Sequence, residues 1–237
     1  MNLILLFPQD FVASDLAVLS GRRAAHILQV HRACPGEQLR VGLLEGEMGQ
    51  GELLEVSRDR VSLRVTLNTP APAPLPLTLL LALPRPKMLR RIFQTAATLG
   101  VRDLILLNAY RVEKSYWQSP FLQQDKIDEQ LILGLEQGVA TAPPRVRLVK
   151  RFKPFVEDEL PALAADSRAL VAHPYQAAPC PATSQEETLL AIGPEGGFIA
   201  YEVEKMMEAG LQPIHLGSRI LRVETALPFL TAKLFPI

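Results

Sequence analysis

Two hydrophobic rhythms divide the chain. In its first part, Glu37 to Leu44, Glu52 to Val56 and Arg60 to Leu67 alternate apolar with polar positions and are separated by Gly46, Gly49 and Gly51, the pattern of antiparallel strands joined by glycine turns. Ser20 to Arg32 carries the one helical spacing there. Short strands with a single helix predict a small barrel, which closes its own sheet edges. From Leu77 onward the rhythm changes. An apolar run, Leu77 to Leu83, is followed by Met88, Ile92, Ala96 and Leu99 at helical spacing, closed by Gly100. A strand at Leu104 to Leu107, an amphipathic helix at Asp125 to Gln137, and strands at Ala169 to Ala172 and Thr188 to Ile192 come next. Tyr201 to Ala209 reads as a helix ended by Gly210, and Pro213 to Leu216 as a strand before a last helix. Strands alternating with helices imply βαβ units and a mostly parallel sheet, hence an α/β fold. Between the two parts lies Asn68 to Pro76, whose alternating prolines remove backbone donors and hold the chain extended, as in a linker. The expected domains are therefore residues 1–72 and 73–237.

Composition narrows the class. With 48% hydrophobic and 21% charged residues, the 237-residue chain has the make-up of a globular protein rather than a disordered or fibrous one. No stretch approaches the roughly 20 apolar residues that span a bilayer, and the first residues lack the basic start and cleavage site of a secretory signal, so a cytoplasmic protein with no membrane partner is expected. Lys+Arg and Asp+Glu are equal at 25 each, so any nucleic-acid contact must come from local clusters rather than a global field. Cys34 and Cys180 stand far apart, and the four histidines form no ligand spacing, so no metal is expected.

Chemistry concentrates in two loops. Ile192-Gly193-Pro194-Glu195-Gly196-Gly197-Phe198 lies where a buried strand ends and a helix begins, the place where ligands bind in such sheets. Pro194 forces Gly193 to be extended, while Gly196 and Gly197 lack a Cβ, so a flat ligand can touch the main chain there. A sharp strand-to-helix turn without a ligand is the alternative. A phosphate cradle is disfavoured, because Glu195, Glu202 and Glu204 crowd the helix start and no P-loop lysine is present. The second loop, Leu216 to Ala226, places apolar Ile220 and Leu221 where a solvated loop is polar and sets Arg222 and Glu224 beside a helix start; core filling with an ordinary ion pair is the plainer reading. His173 ends a strand that is expected to neighbour the first loop, and a packed or solvated imidazole is its simpler role. Basic residues gather at Arg85, Lys87, Arg90 and Arg91 and again between Arg145 and Lys153, as phosphate backbones require, although solvated helix faces and edge strands look the same. Tyr110, Tyr116 and Trp117 lie in a polar loop where they can stack a base.

The GPEGG loop, the Leu216-Gly217-Ser218-Arg219-Ile220-Leu221-Arg222-Val223-Glu224-Thr225-Ala226 segment and the helix between them resemble the RsmE family of small-subunit ribosomal RNA methyltransferases, within the SPOUT superfamily. Further similarity runs through Leu99-Gly100-Val101, Glu136-Gln137, and His26, Val30 and Arg32 followed by Gly36-Glu37. The chain departs from the family pattern at Thr98, where Glu is usual, and at Ala140, where Arg is usual. The resemblance implies a small PUA-like β-barrel for RNA, followed by an α/β SPOUT domain whose end forms a trefoil knot, in a homodimer. It implies transfer of a methyl group from S-adenosylmethionine to N3 of a uridine in 16S ribosomal RNA. The cofactor residues it implies are His173, Ile192, Gly193, Pro194, Glu195, Gly196, Gly197, Leu216, Gly217, Ile220, Leu221 and Ala226. For such a transfer Arg222 is expected to stabilise charge on the uracil oxygens, and Glu224 to orient Arg222 or take part in proton removal. RNA contacts are expected at Arg22, Arg32, Arg85, Lys87, Arg90, Arg91, Arg111 and Lys114. A non-catalytic RNA-binding or ribosome-assembly protein, and a methyltransferase acting on another RNA uridine, are the competing readings.

Overall fold

A computed structural model describes residues 2–236, which form two compact units, 2–73 with 132–143 and 74–131 with 144–236. In the first unit the strands are β1 (Ile4–Leu6), β2 (Phe11–Ala13), β3 (Leu16–Ser20), β4 (Gln38–Leu43), β5 (Met48–Val56) and β6 (Arg60–Thr69). They make one six-stranded sheet in the order β1-β4-β5-β6-β3-β2, antiparallel except for the parallel pair β1–β4. Alternate positions of β3 to β6 enter a core that includes Leu19, Val41, Leu53 and Leu63. Gly49 and Gly51, expected in turns, lie inside β5. A Cβ on Gly49 would come within 1.8 Å of the Thr66 carbonyl oxygen, so glycine is required by the close approach of β6 rather than by a turn. The helix expected at Ser20 to Arg32 is α1 (Gly21–His26) continued by a π-helical turn at Ile27–His31 and ended by Arg32 in the left-handed region, φ 53°.

A cut at 72/73 would leave out residues 132–143, which belong with this sheet. The amides of Asn2 and Leu3 donate to the Glu136 carbonyl, the Glu45 amide donates to the Thr141 carbonyl, and Arg22 forms a two-pronged ion pair with the buried Glu136 carboxylate. These links join residues more than ninety positions apart, which no local pattern reveals.

The second unit alternates strand and helix: β7 (Leu75–Ala82), α2 (Pro86–Thr98), β8 (Val101–Leu107), the part of α3 (Gln124–Gly138) before residue 132, β9 (Arg145–Val149), then α4 (Phe152–Pro154) and α5 (Leu160–Ala165) joined by a π-helical turn. β10 (Arg168–Ala172), the short β11 (Ala178–Pro179), β12 (Thr188–Ile192), α6 (Ala200–Glu208), β13 (Gln212–His215) and α7 (Val223–Leu234) complete it. All seven strands run parallel in the order β11-β13-β10-β12-β7-β8-β9. Central strands of such a sheet are covered on both faces, and β12 is accordingly buried at every position. The prolines of β13 and β11 fall toward or on the edge, where a missing donor costs least. From β7 the chain lays β8 and β9 on one side and β12, β10 and β13 on the other, so the connections reverse there and leave a crevice beyond the strand ends. No helix among the described residues is long and apolar enough to cross a membrane.

Candidate functional site

Register brings the strand ends to one level: Leu81 lies opposite Ile192, Ile192 opposite Ala172, and Ala172 opposite Ile214. The loops leaving β8, β10, β12 and β13 therefore emerge on one rim of the parallel sheet and enclose a cavity of about 540 Å³. That volume suits a small molecule of cofactor size.

The Gly loop forms one wall. The Gly197 amide donates to the Pro194 carbonyl at 2.7 Å, closing a tight turn, and Gly197 has φ +73°, whereas Gly196 does not enter the left-handed region. Gly193 is glycine because a Cβ would press on the Phe198 amide nitrogen at 3.0 Å. At Gly196 a Cβ would meet Arg111 Cδ at 2.9 Å, so the space expected for a ligand beside this residue holds an arginine side chain. Nothing stands within 4 Å of a Cβ on Gly197 or Gly217, both of which line the cavity and border open space. Glu195 accepts from Arg85 Nε at 3.1 Å and from the Arg85 amide.

The facing wall is the loop after β13, where Nδ1 of His215 accepts the Gly217 amide at 2.9 Å and turns the chain, with Gly217 at φ +111°. Ile220 is 74% exposed and Leu221 half-buried. His173, whose amide donates to the Ile214 carbonyl, closes a third side, and burial pushes its imidazole pKa below the ordinary value. Burial thus disfavours a positive charge on His173 in the cavity wall.

The fourth side comes from the loop after β8. The Val112 amide donates to the Ala109 carbonyl at 3.0 Å, so Tyr110 and Arg111 occupy the corners of a turn whose flanking residues are buried. Arg111 lines the cavity and donates to the Gly196 carbonyl. Glu202, 3% exposed, holds the turn: one carboxylate oxygen accepts the Tyr110 amide at 2.7 Å and the other accepts the Ile199 amide at 3.0 Å at the start of α6.

All twelve expected cofactor residues line the cavity: His173, Ile192, Gly193, Pro194, Glu195, Gly196, Gly197, Leu216, Gly217, Ile220, Leu221 and Ala226. Arg222 and Glu224 do not. Arg222 directly precedes α7 and Glu224 lies in its first turn, and among the described residues neither side chain has an ion-pair or hydrogen-bond partner, so the ordinary pair between them is not formed. Of the expected RNA contacts, Arg22 is committed to Glu136, Arg85 to Glu195, Arg90 stacks over the Phe121 ring at 5.3 Å, and Arg111 is in the cavity wall. Arg32, Lys87, Arg91 and Lys114 are exposed without a side-chain partner among the described residues. Sequence reasoning missed Arg219, Tyr175 and Val223 in the wall, and the bridging role of Glu202. The signal for Glu202 was its place three residues into a helix, where an acidic side chain caps the N-terminus. No group of side chains among the described residues has metal-ligand geometry.

A family model described as "RNA methyltransferase domain" matches residues 71–234. The Ribosomal RNA small subunit methyltransferase E of Treponema pallidum is 28% identical over 95% of this chain and 87% of its own length, and the protein of the same name from Bacillus subtilis is 29% identical over 88% and 85%. A crystal structure of a Ribosomal RNA small subunit methyltransferase E from Neisseria gonorrhoeae, bound to S-adenosyl methionine, shares the fold with a TM-score of 0.77 at 22% identity, covering 98% of this chain and 96% of that one.

Proposed function

The chain belongs to the RNA methyltransferase domain family, and on that premise we propose that it transfers the methyl group of S-adenosylmethionine to N3 of a uridine in 16S ribosomal RNA. The observation that carries this reading is the cavity at the strand ends, walled by the Gly loop on one side and the Leu216 to Leu221 loop on the other. Its residues fit the cofactor. Two glycines border open space, Ile192, Ile220 and Leu221 offer apolar surface for an adenosine, and burial lowers the His173 pKa, which disfavours a charged imidazole in a cavity that would take a sulfonium. Bound there, S-adenosylmethionine supplies an electrophilic methyl group.

The protein's own task is positioning. Uracil N3 is a poor nucleophile while protonated, so the chain must hold the base unstacked, help remove the proton and align N3 for transfer. Arg222, exposed at the head of α7, stabilises charge on the uracil oxygens, and the half-buried Glu224 orients Arg222 or takes the proton. The N-terminal sheet serves as a PUA-like barrel for RNA, the C-terminal unit as a knotted SPOUT domain working as a homodimer in the cytoplasm, where its substrate resides. Calorimetry with S-adenosylmethionine, together with mass analysis of 16S ribosomal RNA from a strain lacking the gene, tests the reading. Saturable binding and loss of one N3-methyluridine are expected. Binding without any missing methyl group would favour the RNA-binding or assembly role instead.

A further inference from the structure

We propose that the turn Ala109 to Val112 is the subsite for the target base, with the Tyr110 ring stacking on the uracil and the Arg111 guanidinium meeting one of its carbonyl oxygens. This rests on the methyl-transfer reading above. Tyr110 is 78% exposed, yet its amide is held by the buried Glu202 carboxylate. The Glu202 carboxylate, buried without a cation, spends one oxygen on the Tyr110 amide and the other on the Ile199 amide. The turn is thus tied to the first residues of α6, while Arg111 ties it to the Gly196 carbonyl. An exposed aromatic ring on a rigid mount is what stacking on a splayed-out base requires.

The charge of Arg111 points the same way. A guanidinium in the cavity wall is a poor neighbour for a sulfonium, so the cofactor's reactive centre does not account for it. An anion does. Removal of the N3 proton spreads negative charge over the two carbonyl oxygens that flank N3, and one arginine does not face both ends; Arg111 takes one oxygen and leaves the other to Arg222. The carboxylate of S-adenosylmethionine is the competing anion, and the test separates the two. Glu202 is then a positioning residue, acting through the backbone of Tyr110.

The test uses Tyr110→Ala, Tyr110→Phe, Arg111→Ala and Glu202→Gln in the full chain. Readouts are S-adenosylmethionine affinity by calorimetry and single-turnover methylation of small ribosomal subunits from a strain lacking the gene. Tyr110→Ala should raise the half-saturating subunit concentration about 10-fold or more while Tyr110→Phe restores it, because the ring and not the hydroxyl does the stacking. Arg111→Ala should slow transfer about 100-fold near neutral pH and recover as pH rises, when solvent base ionises N3 unaided. Glu202→Gln places an amide donor against a backbone donor and should reproduce both defects. Cofactor affinity should stay within about threefold in the Tyr110 and Arg111 variants, whose exposed side chains make misfolding a minor concern. Wild-type kinetics in Tyr110→Ala would overturn the subsite alone, as would an Arg111→Ala defect that appears as weakened cofactor binding and does not recover with pH. Absence of methyl transfer by the wild-type protein would overturn the reading and the subsite together.

Discussion

Replacing Gly193 by alanine should damage the Gly loop more than replacing Gly196, although both glycines are crowded. A Cβ on Gly193 would sit 3.0 Å from the Phe198 amide nitrogen, 3.1 Å from Phe198 Cδ2 and 3.3 Å from Gly197 Cα, all short of the 3.4 Å at which ordinary contact begins. Two of these three neighbours are backbone, and the Phe198 ring is buried, so relief requires the loop itself to open by about 0.4 Å. Overpacking of that kind costs about 1–3 kcal/mol. At Gly196 the tightest neighbour, at 2.9 Å, is Cδ of Arg111, and an exposed side chain can shift by a few tenths of an ångström there without moving any backbone or leaving the Gly196 carbonyl. The cost there should stay below about 1 kcal/mol, in the range of an ordinary surface change. Trp117 is the single tryptophan of the chain and lies in the C-terminal unit, so its fluorescence in a urea titration reports on that unit. Because the displaced wall is the proposed cofactor wall, S-adenosylmethionine affinity should fall at least 10-fold in Gly193→Ala. Equal stability of the two variants, or a Gly193→Ala protein that binds the cofactor like wild type, would refute the reasoning.

The parts of the fold that the sequence reveals are those governed by local physics. β12 is recognisable because a strand buried on both faces must be continuously apolar, and the Gly-Pro-Glu-Gly-Gly that follows can only be a turn. α2 begins at Pro86 and ends beside Gly100, the asymmetry helices favour. Where the outcome depends on distant partners, the sequence is silent or misleading. Gly49 and Gly51 look like turn residues but lie within β5, and β1, β2 and β11 are too short to show a period. The candidate site divides in the same way. Its two walls follow from glycine and apolar positions in the chain, whereas the Tyr110–Glu202 link joins residues 92 positions apart and depends on which loops share a rim. Arg222 and Glu224, chosen for their charge beside a helix start, stand at the head of α7 outside the cavity wall, which geometry alone can show.

Three further outcomes are expected. Burial lowers the His173 pKa below its ordinary 6.5, so the folded state binds fewer protons than the unfolded one and stability must fall as pH drops below about 6.5; urea titrations between pH 7 and pH 5 should show a smaller decline in His173→Gln. Ile220 at 74% and Phe229 at 61% exposure need covering, so light scattering at micromolar concentration should give a dimer that Phe229→Asp dissociates, and a monomeric wild type would remove the dimer from the mechanism. The last concerns which basic residues hold RNA. Lys87 and Arg91 have no side-chain partner among the described residues and are free to neutralise phosphates, so each removal should lower the slope of log affinity against log salt by about 0.7 to 0.9. Arg22 is bound through two nitrogens to a carboxylate whose side chain is only 2% exposed, and giving up that partner for a phosphate would strand a buried charge. Arg22→Ala should therefore leave the salt slope nearly unchanged while lowering stability; a slope that falls as far as in Lys87→Ala would show that Arg22 releases Glu136 to bind RNA.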